Sequence, residues 1–321
     1  MTERALIERY FRECGARRSD VPLGVGDDAS LIDVPPGMQL VAALDTLVSG
    51  VHFLPHSPAS SVGHRALAVN LSDIAAMGAQ PAWALLGLTL PGVDETWLEA
   101  FTSGLGALAR KHNVALVGGD TTSGPLCITV QVLGYAPKPP AMLRSGGLPG
   151  DVLFVTGTPG DAAAGLALEK GELSGLTEDA AAWLRGRFLY PTPRIELGIK
   201  LREYASACID VSDGLLGDAG KLAEASRCGV VIDFEHVPVS SHLVSAVGDA
   251  RARELALTGG DDYELCFAVR PEKVDRLTRE LPPGQWNYRR IGVLRSEPGS
   301  VVLRGGTVMD VSHSGFDHFA R

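Results

Sequence analysis

An aspartate in a tight, glycine-rich turn at the end of an apolar strand is the expectation at Asp28, Asp45, Asp120, Asp210 and Asp213, and Asp73, inside an apolar stretch, makes six. Carboxylates without histidine or cysteine companions are hard oxygen ligands, which suits magnesium better than zinc. Glycine-rich turns beside them offer backbone N–H groups to phosphate oxygens, because glycine permits close approach. Together the two features imply a metal–nucleotide site. Any one of these aspartates could instead be an ordinary turn or cap residue. Six in the same kind of setting weigh against that for the set.

Asp73 is the least expected of them, since it interrupts the apolar stretch Leu67 to Gln80. At helical period Asn70, Asp73 and Met77 share one face. A buried unpaired carboxylate costs several kcal/mol, so Asp73 should meet a metal ion, a cationic side chain or the solvent of a cleft. The competing reading is an N-cap, with a helix starting at Ile74.

The elements that must hold these groups follow from the pattern. Thr2 to Cys14 reads as an amphipathic helix closing at Gly15. Val21 to Ser30 reads as a short strand running into Asp27 and Asp28, and Gln39 to Leu44 as a strand ending at Asp45. Further strands are expected at Leu85 to Leu90, at Val114 to Val117 before Gly118, Gly119 and Asp120, and at Ile128 to Gly134, with a helix over Asp94 to His112. The punctuated run 138–150 separates an N-terminal domain, 1–137, from a C-terminal one, 151–321. That second part shows a strand at Val152 to Thr156, a glycine turn opening an alanine-rich helix, a strand at Cys208 to Val211 entering Ser212-Asp213-Gly214, and a strand after Gly259. Strand–loop–helix alternation predicts layered α/β architecture in both halves.

There is no Walker A loop. Gly104 to Ala109 matches a loose G-x-G-x-x-A fingerprint but inside the expected helix, so the match reads as chance. Gly157 to Gly165 follows a strand and opens a helix, and stands open between a phosphate loop and plain turn chemistry. The net charge of −9 argues against a nucleic-acid partner. No apolar run approaches the roughly 20 residues that span a bilayer, and the charged start MTERALIERYF is unlike a signal peptide, so a cytoplasmic protein is expected. Five scattered cysteines fit reduced thiols.

GVGDDAS at Gly24, LDTLVSGVHF at Leu44, LAVNLSDIAAMGAQP at Leu67, GGDTTSGP at Gly118, RSGGLPGD at Arg144, TGTPGDAAAGL at Thr156, IDVSDGL at Ile209, GGDDYEL at Gly259 and GFDHF at Gly315 occur in order along the whole chain. The chain thereby resembles the thiamine-monophosphate kinase family of the aminoimidazole-ribonucleotide synthetase-like ATP-binding superfamily. The resemblance implies a two-domain homodimer that transfers the γ-phosphoryl group of ATP to thiamine monophosphate with several magnesium ions. It makes Asp28, Asp45, Asp73, Asp120, Asp210 and Asp213 metal ligands, puts Gly118, Gly119, Arg144 and Ser212 on ATP, and puts His52, Asp261 and Phe316 on thiamine monophosphate. Asp45, Asp120 and Arg144 would carry the chemistry. Two departures stand out: Ala43 and Leu44 replace the family's Ser-Thr before Asp45, and Asp261 stands where Glu is expected, leaving Asp261 and Asp262 as rivals for the substrate. The alternatives are another ATP-dependent enzyme of the superfamily, or a regulatory module that binds Mg-ATP without turnover.

Overall fold

The computed structural model describes residues 1–138 and 142–311. The chain divides into two compact units, one of Met1–Ile74 with Ala79–Ala141, and another of Ala75–Gly78 with Met142–Arg321.

In the first unit the Thr2 hydroxyl accepts from Ala5 N (3.3 Å) and caps α1 (Glu3–Leu6), which continues as a π-helical turn, Ile7–Phe11. The expected strand at 21–30 is a loop instead, with only isolated bridges such as Leu23 to Leu31. Pro22 lacks an N–H and Gly26 sits at φ +125°, so no ladder propagates there. Asp28 consequently lies on an exposed loop.

Strand β1 (Met38–Val48) carries Asp45 in its interior rather than at its end, because the ladder with the later strand 127–137 runs unbroken past it. Helix α2 (Ala59–Ala76) begins well before Ile74, so Asp73 lies in its last turn and the N-cap reading is excluded. β2 (Gln80–Leu90), α3 (Glu95–Lys111), β3 (Ala115–Ser123) and β4 (Cys127–Pro137) complete the unit. The sheet order is β1-β4-β2-β3, with β2 and β3 parallel and the other pairs antiparallel. α2 is buried almost all round, and it meets α3 backbone to backbone. A Cβ on Gly104 would sit 1.9 Å from Ser60 O, and one on Gly63 would sit 2.0 Å from Phe101 O. That close approach explains Gly104, so the dinucleotide fingerprint is indeed a packing feature.

The second unit holds β5 (Val152–Thr156), α4 (Asp161–Glu169), α5 (Glu178–Leu189), α6 (Ile195–Leu201), β6 (Ala205–Val211), α7 (Leu215–Ala225), β7 (Gly229–Asp233), β8 (Glu264–Val269), β9 (Tyr288–Arg295), β10 (Gly299–Arg304) and β11 (Thr307–Met309). The strands form a seven-stranded sheet in the order β11-β10-β7-β9-β5-β8-β6, parallel only between β10 and β7. Its core packs Leu215, Ala219 and Leu222 of α7 against Ile209, Val230 and Ile232 of the sheet. All five cysteines are free, four of them buried, and burial raises the thiol pKa of Cys14, Cys208, Cys228 and Cys266. Among the described residues no helix is long and apolar enough to cross a membrane.

Candidate functional site

Strand pairing places the acidic groups of the first unit. Asp45 lies opposite Val130, and Val130 opposite Leu86, so Asp45 is on the same sheet face as Leu86. There its side chain hydrogen-bonds Asp73 of α2, and burial raises its pKa, which that hydrogen bond partly counters. Two carboxyls in contact must share a proton or hold a cation between them. Side chains alternate along a strand, so Ala43 shares the Asp45 face while Leu44, 58% exposed, points to the other. The missing hydroxyl at 43 therefore bears on Asp45, and that at 44 does not.

A cavity of about 850 Å³ brings Asp28, Gly118, Gly119 and Asp120 together with the first turns of the chain. Gly119, at φ +151°, is pressed against β2: a Cβ would sit 1.9 Å from Leu86 O. Only glycine lets β3 carry Asp120 past β2 at this spacing. His52 follows β1 in a turn, where Nδ1 accepts from Val48 N (3.0 Å) and so fixes the neutral ring with its proton on Nε2.

In the second unit Asp210 is buried near the end of β6, and Ser212 and Asp213 follow it. Ser212 N and Asp213 N both donate to Asp218 Oδ2 (2.9 Å each) at the start of α7. Lys221 Nζ bridges Asp213 Oδ2 (2.5 Å) and Asp218 Oδ1 (2.8 Å). Sequence reading missed Asp218 and Lys221, although their positions in an α7 helical pattern after Asp213 place both on its first turns. Asp261 joins this group, since its N–H donates to Ser212 O (2.8 Å).

Asp262 has a different task. Fully buried, it accepts from Gly160 N (2.8 Å) and Ala162 N (3.3 Å), and burial raises its pKa well above the usual carboxylate value. The N-terminus of α4 is thus filled by an internal carboxylate, which answers the open question of Gly157 to Gly165 in favour of structure. Asp261 is only half-buried, and it accepts from the Tyr263 hydroxyl (3.3 Å). Both flank Asp262 in left-handed backbone, φ 72° and 51°. Nearby Glu264, fully buried, accepts from Arg187 (2.7 Å), twice from Arg194 (2.6 Å each) and from Thr156 (2.5 Å). Burial alone would raise its pKa, but the two arginines win and lower it.

Arg144 is exposed, its carbonyl accepting from Ser226 Oγ (2.9 Å). Phe316 lies outside the described residues. Among the described residues no three His, Cys, Asp or Glu side chains close on a common point as a ready-made metal cage. Magnesium does not need one. It takes one or two carboxylates and completes its shell with substrate phosphate and water, so the pair Asp45–Asp73 and the cavity acids suit it.

Comparison with known proteins gives a consistent picture. Residues 26–136 match the AIR synthase related protein, N-terminal domain, and residues 149–304 the corresponding C-terminal domain. The thiamine-monophosphate kinase of Salmonella typhimurium is 47% identical over 99% of this chain and 98% of its own. A crystal structure of thiamine-monophosphate kinase from Stenotrophomonas maltophilia superposes with a TM-score of 0.84 at 42% identity, covering 95% of each chain. The complex of AaThiL with AMPPCP and TMP superposes at 0.79 with 32% identity, covering 92% of each.

Proposed function

The chain belongs to the thiamine-monophosphate kinase family within the AIR synthase related proteins, and from that membership we propose how its residues phosphorylate thiamine monophosphate with ATP. The acceptor is itself a phosphate, whose second pKa near 6 leaves an oxygen ionised at neutral pH, so no general base is required. The obstacle is repulsion between anions. At 4 Å and an effective dielectric of 20, a pair of unit charges repels by roughly 4 kcal/mol, and about 1.4 kcal/mol is a tenfold change in rate.

Bound magnesium supplies charge neutralisation and alignment of the phosphate oxygens. Asp45 and Asp73 hold one such cation from the first unit, with Asp28 and Asp120 serving the cavity, and Asp210 and Asp213 act from the second. Gly118 and Gly119 leave backbone room for a phosphate, and Ser212 and Arg144 contact ATP. His52 and Asp261 orient thiamine monophosphate, since Asp262 is committed to α4, and Phe316 stacks on its cationic ring. The γ-phosphoryl group passes directly to the acceptor, without a phospho-enzyme.

The observation that carries this reading is the cavity shared by Asp28, Gly118, Gly119 and Asp120. Incubation with ATP, magnesium and thiamine monophosphate should yield thiamine diphosphate and ADP. ATP-bound protein without that product would leave the regulatory-module alternative. A labelled covalent phospho-protein from γ-labelled ATP would exclude direct transfer.

The protein acts as a homodimer. Outward positions of β1 are Leu40, Ala42, Leu44 and Thr46, where a solvated antiparallel sheet would carry polar residues. Leu40 and Leu44 are more than half exposed, and such a face calls for a partner.

A further inference from the structure

The cavity of the first unit has a second wall that the family resemblance leaves without a role: the N-terminal helix, through Arg4, Ile7, Glu8, Phe11 and Arg12. The acids facing the cavity outnumber its bases, with Glu3, Glu8, Asp27, Asp28 and Asp120 against Arg4 and Arg12. A triphosphate entering it would meet mostly like charge, so a protein cation able to reach the phosphate chain has a clear use.

Arg12 is placed for that. The helix widens into a π turn over Ile7–Phe11, and Arg12 N bonds Ile7 O (3.2 Å), five residues back. Such turns recur at functional positions because they re-aim side chains. The preceding arginine, Arg9, points elsewhere and ties the helix to α3 through Glu95 (2.7 Å) and Glu99 (3.2 Å). Arg12 instead reaches the cavity loop: its Nη1 lies 4.0 Å from where a Cβ on Gly26 would stand, two residues before Asp28. In the structure Arg12 Nη1 bonds both oxygens of Glu8 (2.8 and 2.6 Å). This is a one-nitrogen pairing, not the fork-to-fork geometry of a strong arginine–carboxylate bond. Both side chains are about half exposed, so water screens the pair and the hold is weak.

The geometry points to Arg12 as a phosphate-contacting residue for the triphosphate of ATP, with Glu8 as the internal anion that holds it until nucleotide displaces the carboxylate. The proposal rests on the cavity being the ATP site. A guanidinium suits the task because it stays charged and can grip two phosphate oxygens at once.

Calorimetric titration of the full chain with MgATP, and separately with thiamine monophosphate, tests it. Arg12→Ala should weaken MgATP binding about tenfold or more and leave thiamine monophosphate within about twofold, with Arg12→Lys recovering part of the loss. Glu8→Gln should bind MgATP at least as tightly as wild type, because it removes the competitor. Unchanged MgATP binding by Arg12→Ala, a loss shared equally with thiamine monophosphate or confined to it, or a weakened Glu8→Gln would each overturn the proposal. A wild-type protein that binds MgATP but makes no thiamine diphosphate would remove the functional reading while leaving the role of Arg12 standing. No MgATP binding by wild type would remove both.

Discussion

Asp261 and Asp262 are neighbours in sequence with opposite surroundings, and substitution should separate them. Removing the Asp262 carboxylate leaves two N–H groups at the start of α4 without their acceptor. Each buried donor left unpaired costs about 1–3 kcal/mol, so Asp262→Ala should lower the denaturant midpoint markedly. Asp261→Asn, which tolerates the same left-handed backbone, should keep that midpoint near wild type and raise the KM for thiamine monophosphate, the KM for ATP moving little. The reverse pattern would transfer the substrate role to Asp262. At Asp45 and Asp120 the expectation is different: Asn keeps shape and loses charge. Both Asn variants should fold normally and lose kcat/KM by about a hundredfold or more, as expected for losing about 3 kcal/mol of charge stabilisation in phosphoryl transfer. Near-wild-type turnover in either would defeat the metal assignment of that residue.

Helix α3 shows how local signals compete. It starts where the sequence says, at the Asp94 cap on Trp97 N (3.1 Å), and ends at His112. A charged histidine at a helix C-terminus is normally favoured by the dipole. Here burial dominates, helped by Lys111 and His64, and pushes the His112 pKa from 6.5 down to about 4. Its Nε2 has no hydrogen-bond partner among the described residues. Protonation therefore favours the unfolded chain, and stability present above pH 6.5 should drain as pH falls toward 4. The interval corresponds to at most about 3 kcal/mol, less after screening of the partly exposed ring. Denaturation of wild type and His112→Phe between about pH 7 and 4 should give diverging curves; parallel ones would assign acid sensitivity elsewhere. Elements with a cap or a long period, such as α3 and α7, are legible in the sequence. β1 reads short because an aspartate looks like a terminator, whereas its ladder with β4 carries Asp45 through. At 21–30 the apolar spacing suggests a strand, and Pro22 and Gly26 outweigh it. Of the candidate site, the six carboxylates are visible as a type, but their pairing is not. The Asp45–Asp73 contact and the burial of Asp262 depend on which elements meet across the fold, which no local pattern records, whereas the Lys221 bridge is local to the turn and first turns of α7.

At the scale of the molecule the feature that calls for a partner is the outward face of β1, at the edge of the first sheet. Its other face meets α2 through the Asp45–Asp73 contact, yet Leu40 and Leu44 stand 51% and 58% exposed on the outward face. The Thr46–Thr129 hydroxyl contact (2.9 Å) closes one corner of the face with side chains bonded to each other rather than left for water. Charged groups, which keep solvated sheet faces from associating, are missing from the outward positions of β1. A symmetric pairing places the same patch on both sides of a two-fold axis, so each leucine acts twice. Stable interfaces bury about 800 Å² per partner, and apolar burial at about 25 cal/mol per Å² makes two aliphatic side chains a substantial share of such a patch. Leu40→Asp with Leu44→Asp should therefore convert a dimer to a monomer in sedimentation velocity at micromolar concentration. The two side chains are solvent-facing within one subunit, so the folded far-ultraviolet dichroism should survive the change. A wild-type protein that sediments as a monomer, or a double variant that remains a dimer, would show that this face is not where two copies meet.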